Sequence, residues 1–386
     1  MRELIVFEIK KLLSVFTQLW VFIFKRDPSI VLCTGWAGKR FSDNSRYIYL
    51  FLEQYKNKLG LKRIVWISNN QEHITYLRAH GYLAFKKNSW SSLYYHLRAS
   101  YFIYDQYIDD FYSFLTSGAK VVNLWHGMPI KKFGLWNGFH PCWDLKDNYL
   151  MTCSVLGDNL IGKSFQVYPD HFIHGMYPRN FYLLHSIPLL MLSEMIYIKE
   201  IRKQKQAGKC ILFYLPTFRK STLCFLGEKE EYKISEFIQF LERKNYFLIT
   251  KVHYAGFSRH NDKVVYTSQG LLNLPAEVDI YPFLKETDIL LTDYSSVLFD
   301  FLYLNRDIIG LPYDLEDYKN NDQGLLFDYG DLPVDVAYNI DELKQLLSQE
   351  KTQQQKMIDQ EKRSQWLMKC FGNYTIDDTI KNIFSK

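Results

Sequence analysis

A short apolar strand runs through a hydroxyl-bearing turn into a helix between residues 288 and 304. Residues 289–291 predict a buried strand, and apolar residues recur at helical spacing from Val297 onward, which places Ser295 or Ser296 at the helix N-cap. A helix start presents unpaired N–H groups and a partial positive charge, and two serine hydroxyls add donors, so this turn is suited to binding a phosphate. An ordinary capped helix needs only one of the serines, and that interpretation stays open.

Four further polar clusters follow predicted strands, in the segments WHGMPIKKFG, YPRN, YLPTFRK and KVH. A histidine at such a position can act as a general base near neutral pH, and a guanidinium fork can bind a phosphate through two hydrogen bonds. Each cluster alone is typical of a solvated loop, but together they indicate a site that handles phosphates. The residues concerned are His126, Gly127, Lys131, Lys132, Arg179, Asn180, Thr217, Arg219, Lys251 and His253. The absence of G-x-x-x-x-G-K-[ST] and G-x-G-x-x-G motifs argues against an ATPase and a nicotinamide enzyme.

Strands and helices that alternate along the chain must position these clusters. Such alternation predicts α/β units with parallel, doubly wound sheets, whose ligands bind at the carboxyl ends of the strands. Predicted strands cover residues 29–34, 63–68, 101–104 and 120–125 in a first series, then 210–215, 247–252, 264–267, 289–292 and 307–311 in a second. The predicted divisions are an amphipathic segment 1–27, a first domain 28–190, a second domain 205–350 and a helical tail 351–386 that packs back across the first domain.

Composition narrows the class of partner. The 386 residues carry 47 Lys and Arg against 42 Asp and Glu, a net charge of +5 that mildly favours anionic partners. The sequence lacks the dense basic block that is typical of nucleic-acid binding. Its six cysteines are scattered, without the spacing of a zinc site, and predict free thiols in a reducing cytosol.

The first 26 residues predict an amphipathic helix lying in a membrane interface. One face carries apolar residues and the opposite face polar ones: Ile5, Ile9, Leu12, Leu13, Phe16, Trp20 and Ile23 against Lys10, Ser14, Gln18 and Lys25. The uninterrupted apolar run is too short for a spanning helix, and no signal-peptide cleavage site follows it. A helix that packs on the first domain is a second interpretation of the same pattern.

The segments WHGMPIKKFG, YPRN, LPTFR, KVH, TDYSSVLFDF and LPYDLEDY…GLLFDY, in this order, resemble the CDP-glycerol glycerophosphotransferase family of teichoic acid synthesis. The resemblance covers roughly residues 120 to 330. It implies a glycosyltransferase-B-like fold of two Rossmann-like domains, with the CDP-alcohol donor in the second domain and a membrane-bound acceptor in the cleft. The implied reaction transfers an alcohol phosphate from CDP-glycerol to a hydroxyl and releases CMP, with no tightly bound cofactor and no D-x-D motif to suggest a metal.

Carried over by motif, the resemblance implies that His126 is the base that deprotonates the acceptor hydroxyl. His253, with Arg179 and Arg219, would then hold the diphosphate as charge moves to CMP. Donor or phosphate binding is expected of Asn180, Thr217, Lys251, Asp293, Ser295, Ser296 and Asp300, and an acceptor-side position of Gly127, Lys131 and Lys132. Phe181 stands where the family has an acidic residue, so any contact of that acid is absent or supplied elsewhere, and Tyr254 stands where the family has a proline. Neither departure removes a proposed catalytic group, but both bear on the identity of the substrate.

The chain length favours a primase, which would add a first glycerol phosphate to an undecaprenyl-diphosphate-linked disaccharide. The protein is expected at the cytoplasmic face of the membrane, with residues 1–26 on the anionic membrane surface. Short-chain polymerases and ribitol-phosphate transferases share the motifs. Two further functions stay open: a nucleotide-sugar transferase of the same fold, and a non-catalytic scaffold of a polymer-assembly complex.

Overall fold

The computed structural model describes residues 15–106, 111–137, 148–217, 231–251 and 270–385. These fall into two compact units. The first contains residues 15–126, 148–189 and 373–385, and the second contains residues 127–137 and 190–372.

Each unit is built on a parallel sheet, which confirms the predicted doubly wound α/β architecture. Among the described residues, the first sheet has seven strands in the order β3-β2-β1-β4-β5-β6-β7, and the second has six in the order β10-β9-β8-β11-β12-β13. The strands are β1 Asp27–Cys33, β2 Arg63–Ser68, β3 Leu83–Lys86, β4 Ala99–Tyr104, β5 Lys120–Asn123, β6 Tyr149–Thr152, β7 Phe172–His174, β8 Cys210–Leu215, β9 Tyr246–Thr250, β10 Leu271–Asn273, β11 Ile289–Thr292, β12 Asp307–Gly310 and β13 Asp335–Val336. The predicted strand 264–267 lies outside the described residues.

Helices follow most of the strands. They are α1, described over residues 15–23, α2 Asp43–Tyr55, α3 Gln71–Ala79, α4 Trp90–Arg98, α5 Val155–Gly157, α6 Lys163–Phe165, α7 Pro178–Leu184, α8 Leu192–Gln206, α9 Glu231–Arg243, α10 Tyr281–Leu284, α11 Val297–Phe301, α12 Leu315–Asn321, α13 Ile340–Ser348, α14 Gln353–Phe371 and α15 Ile376–Phe384. No helix within these described segments is both long and apolar enough to cross a bilayer.

The strands are apolar on both faces because helices cover both sides of each sheet. In the first unit the core joins Leu32, Val65 and Phe102, and in the second it joins Leu212 and Leu291, all of them buried. Uninterrupted apolar runs such as SIVLC and DILLT therefore predict these central strands correctly.

The chain's last two helices divide between the units. Helix α14 packs in the second unit, where Arg363 Nη1 lies 3.1 Å from the Asp307 carboxylate. Helix α15 packs in the first, where the Thr379 hydroxyl donates to the Met176 carbonyl at 2.7 Å. A Cβ on Gly175 would collide with the Thr379 hydroxyl, so only glycine permits this close approach.

The amino ends of the first sheet's strands support helix α1. The Thr17 hydroxyl donates to the Phe114 carbonyl at 2.8 Å. Buried Arg26, between α1 and β1, donates to the carbonyl oxygens of Ala99 at 2.6 Å and Leu115 at 2.6 Å. Since residues 99 and 115 stand at or before the starts of β4 and β5, α1 lies at the amino-terminal edge of the sheet.

Buried His96 on α4 is expected to make the first unit sensitive to acid. Its Nδ1 bonds the Ser92 carbonyl at 2.7 Å, and burial, with smaller contributions from Lys87 and Arg26, lowers its pKa to about 4. Because the unfolded chain takes up this proton more readily, stability falls as the pH drops from about 6.5 towards 4. Urea unfolding should show a loss of about 2 kcal/mol between pH 7.5 and pH 5 that His96→Leu abolishes. The control His80→Gln, at an exposed histidine, should show the same loss of stability as the parent. An equal loss in His96→Leu would contradict the assignment of the acid sensitivity to His96.

Candidate active site

His126 follows β5 at the carboxyl edge of the first sheet. It is half-buried, its ring centroid lies 3.8 Å from that of Trp125, and its Nδ1 is 3.4 Å from the Asp105 carbonyl oxygen. With the Nδ1 proton directed at that carbonyl, Nε2 is the nitrogen left to accept a proton. This tautomer suits a general base.

A buried polar network holds the main chain beside His126. Asn44, at the start of α2, donates from Nδ2 to the Trp125 carbonyl at 2.8 Å, and its Oδ1 accepts the Arg179 N–H at 3.2 Å. The Arg179 guanidinium is 3% exposed and lies 2.7 Å from the Asp43 carboxylate. The network therefore joins the start of α2, the turn after β5 and the start of α7.

This arrangement bears on two predicted site residues. The Arg179 guanidinium pairs with Asp43 inside the first unit, and the Arg179 backbone N–H bonds Asn44, whose side chain holds the turn before His126. Asn180 is fully buried, and its amide makes no hydrogen bond within the described part of the chain. Sequence reasoning missed Asp43, Asn44 and Asp105. The S-D-N sequence before the α2 pattern is a recognisable helix-start signal, but nothing in it predicts the contacts.

Backbone strain concentrates around the same turn. Four non-glycine residues at this edge of the first sheet have left-handed φ angles, Trp36 at 51°, Ala37 at 55°, Asp43 at 62° and Trp125 at 52°. Such a conformation costs about 1–3 kcal/mol each and persists where the surrounding structure enforces it, often at functional sites.

In the second unit, Asp293 joins the carboxyl ends of β8 and β11. Its Oδ1 accepts the backbone N–H groups of Thr217 and Tyr294, both at 2.6 Å, and its own carbonyl accepts the Tyr329 hydroxyl at 2.9 Å. The side chain of Asp293 is thus engaged in fixing two loops. Asp300, also buried, accepts the Tyr281 hydroxyl at 2.9 Å, so both predicted carboxylates are held by the protein itself.

The two serines of the turn after β11 are half-buried. Ser296 occupies the N-cap position of α11, as the sequence predicts, but with helical φ of −61° and no hydrogen bond from its side chain to the helix. Neither serine hydroxyl bonds another described group, so the helix does not consume them as caps. They can donate to an anion placed at this turn.

The lysines predicted on the acceptor side belong to a short ladder within the second unit. Lys131 pairs in antiparallel fashion with Leu325, and the Lys132 N–H donates to the Gly324 carbonyl at 3.2 Å. Lys131 is half-buried and Lys132 exposed. Gly127 has a φ of 108°, which glycine adopts without strain. Lys251 directly follows β9, and its N–H donates to the Tyr214 carbonyl at 3.3 Å.

The segment LPYDLEDY…GLLFDY contributes two tyrosines, Tyr318 and Tyr329, that pack with Tyr294 beside the turn after β11. Tyr294 stacks on Tyr318 with ring centroids 4.0 Å apart and donates to the Asp314 carboxylate at 3.0 Å. Burial raises the pKa of Tyr329 well above its usual value, so its hydroxyl stays protonated as it bonds the Asp293 carbonyl. The segment LPYDLEDY…GLLFDY thus supports the turn that carries the serines.

Residues 15–371 match the profile of the CDP-glycerol:poly(glycerophosphate) glycerophosphotransferase family. The chain belongs to this family. It therefore has CDP-glycerol glycerophosphotransferase activity and acts in the synthesis of teichoic acid for the cell wall, which confirms the resemblance.

Relatives and solved structures agree with this membership. The chain is 26% identical over 372 residues to a teichoic acid glycerol-phosphate transferase of Staphylococcus aureus, covering 88% of this chain and 90% of the relative. It is 27% identical over 323 residues to a teichoic acid poly(glycerol phosphate) polymerase of Bacillus spizizenii, covering 79% of each chain. The wall teichoic acid polymerase TagF shares the fold, with a TM-score of 0.74, 20% identity, and 98% of this chain and 93% of that chain covered. This likeness confirms the glycosyltransferase-B-like fold.

The residues expected of a glycerophosphotransferase thus form two groups. His126, Arg179 and Asn180 belong to the first unit. The second unit holds Gly127, Lys131, Lys132, Thr217, Lys251, Asp293, Ser295, Ser296 and Asp300. Arg219 and His253 lie outside the described residues. Among the described side chains, no group of three or more His, Cys, Asp or Glu is placed to hold a metal ion.

Proposed function

We propose that this chain is a primase that transfers one glycerol phosphate from CDP-glycerol to a hydroxyl of an undecaprenyl-diphosphate-linked disaccharide, with release of CMP. The observation that carries the proposal is the His126 imidazole, whose Nδ1 faces the Asp105 carbonyl and whose Nε2 is therefore the basic nitrogen. A general base in this form is what an acceptor hydroxyl requires before it can attack phosphorus.

The reaction follows from these groups. His126 Nε2 takes the hydroxyl proton as the acceptor oxygen forms a bond to the β-phosphorus of CDP-glycerol. The bond from that phosphorus to the bridging oxygen breaks, and the electron pair leaves on CMP. Stabilisation of this charge is the main task of the protein in phosphoryl transfer.

The second unit is the proposed donor side. The hydroxyls of Ser295 and Ser296 are not used in capping α11 and would donate to the donor phosphates. Arg219, Lys251 and His253 would add positive charge there, in keeping with their motifs. Thr217 and Asp293 would shape the site through their mutual bond.

Glycerol as the donor alcohol is supported by the relatives. The Staphylococcus aureus transferase and the Bacillus spizizenii polymerase are both named for glycerol phosphate, and a crystal of TagF was soaked with CDPG. The primase assignment is supported by a 28% identical teichoic acid glycerol-phosphate primase of Bacillus subtilis, which matches 58% of this chain.

The test is incubation of the purified protein with CDP-glycerol, or in parallel CDP-ribitol, and a short-chain lipid-diphosphate disaccharide. CMP release is measured together with product mass. A single added glycerol phosphate is the expected result. A ladder of products would replace the primase with a polymerase, a ribitol product would replace the donor, and no CMP from either donor would overturn the proposal.

We further propose that the protein is peripheral to the cytoplasmic face of the membrane through α1. Thr17 is buried against the first unit, while Phe16, Leu19, Phe22 and Ile23 are exposed, Phe22 by 86%. Helical spacing puts these four apolar side chains on a common outward surface, which an interfacial helix would bury in lipid. Trp20, predicted on this face, is half-buried, and the residues before position 15 lie outside the described chain.

The variant Leu19→Glu/Phe22→Glu is expected to lower flotation on anionic liposomes by at least about tenfold, because each side chain forfeits about 1.5–3 kcal/mol of burial in lipid. The matched control Met357→Glu/Ile358→Glu places the same charges on exposed apolar positions of α14 and should float like the parent. Flotation that is equal in all three proteins would contradict the assignment of α1.

A further inference from the structure

The turn that follows β1, residues Gly35–Arg40, has an unusual backbone. Trp36, Ala37 and Gly38 take left-handed φ angles of 51°, 55° and 70° in succession. Asn69 holds the turn from β2, since its N–H donates to the Gly38 carbonyl at 2.6 Å and its side-chain amide to the Ala37 carbonyl at 3.2 Å. The strained conformation is therefore fixed before any ligand arrives.

This conformation presents an aromatic ring and a cation together. The Arg40 guanidinium carbon lies 4.6 Å from the Trp36 ring centroid, and both side chains are half-buried. A guanidinium has five N–H donors in one plane, so a guanidinium over an indole can bind a phosphate in addition to its contacts within the protein. The indole Nε1 of Trp36 is buried and has no hydrogen-bond partner among the described groups, so the ring is not held there by a polar contact of its own.

The turn Gly35–Arg40 also lies close to Asp105, whose carbonyl contacts His126. A Cβ built on Gly35 would lie 3.4 Å from the Asp105 carboxylate, and the Asp105 carbonyl is 3.4 Å from His126 Nδ1. In the sheet, β1 neighbours β4, and β4 neighbours β5. Two strand spacings of about 4.8 Å therefore separate the turn after β1 from the turn after β5 by about 10 Å at the same edge.

We propose that the turn Gly35–Arg40 is the subsite for the saccharide diphosphate of the acceptor. Trp36 packs against the apolar face of a sugar ring, and Arg40 pairs with a phosphate of the diphosphate. A ligand that extends from this turn along the sheet edge brings a hydroxyl to His126. The inference rests on the proposed function, since it assigns a site to the acceptor of that reaction.

The test is steady-state CMP release by Trp36→Ala and Arg40→Gln, with the short-chain lipid-diphosphate disaccharide varied at saturating CDP-glycerol, and then the reverse. Each variant is expected to lose at least about tenfold in kcat/KM for the acceptor, as expected for a lost stacking or charge-assisted contact, with KM for CDP-glycerol unchanged. Trp36→Phe, which retains an aromatic ring, should recover part of the loss. The controls Trp90→Ala and Arg63→Gln alter an exposed tryptophan on α4 and an exposed arginine at the opposite edge of the sheet.

A kcat/KM for the acceptor within twofold of the parent in both variants, or a change confined to the KM for CDP-glycerol, would overturn the subsite while leaving the proposed function intact. If the parent protein releases no CMP, the proposed function fails instead. A titration of the same disaccharide, followed by tryptophan fluorescence in the parent and Trp36→Phe, then decides the subsite. A saturable change in the parent that weakens in Trp36→Phe supports it, and identical curves or no change overturn it.

Discussion

Replacing His126 with glutamine is expected to lower kcat for CMP release by roughly 10²- to 10⁴-fold, the usual contribution of a general base. Glutamine keeps a polar side chain of similar size at this half-buried position, so the turn and the fold should persist, and KM for CDP-glycerol should change little. The measurement is steady-state CMP release alongside a urea unfolding curve.

The control for this experiment is His174→Gln. His174 also ends a strand of the first sheet, but it pairs with the Asp158 carboxylate at 3.0 Å, which raises its pKa and fixes it in place. We expect this control to keep kcat near that of the parent. If His126→Gln keeps kcat within tenfold of the parent, another group is the base.

The second large effect is expected on stability. Asp43 and Arg179 form an ion pair whose guanidinium is 3% exposed, and removal of one partner from a buried pair costs about 3–5 kcal/mol. Asp43→Asn, which keeps a residue that tolerates the left-handed backbone, and Arg179→Met should each show this loss in urea unfolding. In the double variant the loss should be smaller than the sum, since neither charge is left unpaired.

The two single variants and the double variant also distinguish two roles for Arg179. If Arg179→Met unfolds like the parent and instead raises KM for CDP-glycerol, the guanidinium binds donor phosphate, as its motif suggests, and the ion pair contributes little. A loss of stability with strong coupling to Asp43 identifies it as a positioning residue.

The central strands of both sheets and the turn at Ser295 and Ser296 could be predicted from the sequence, because buried parallel strands are continuous apolar runs and a helix start has a local signature. The short strands β3, β6, β7, β10 and β13 could not. Each has two to four residues and lies at or next to the edge of its sheet, where burial by neighbouring strands imposes less of the continuous apolar pattern that marks a central strand.

The network around His126 could not be predicted for a different reason. Asn44 bonds residues 81 and 135 positions away, and no local periodicity reports such contacts. Likewise the left-handed φ of Trp36 and Ala37 has no sequence signal, since neither residue type favours it. The Asp293 carboxylate resembles a ligand-binding group in the sequence, and only the structure shows that two backbone amides occupy it.

The positions of α1 and His126 on the first sheet determine how far the acceptor must extend from the membrane. Helix α1 rests at the amino-terminal edge, and His126 stands at the carboxyl edge beyond β4, whose six residues rise by about 3.3 Å each, or roughly 20 Å in all. With α1 in the lipid interface, the sheet fixes the distance between the membrane surface and the His126 imidazole. The turn Gly35–Arg40, proposed to bind the saccharide diphosphate, lies at the same edge as His126, so the lipid of the acceptor, and not its saccharide, must span that height.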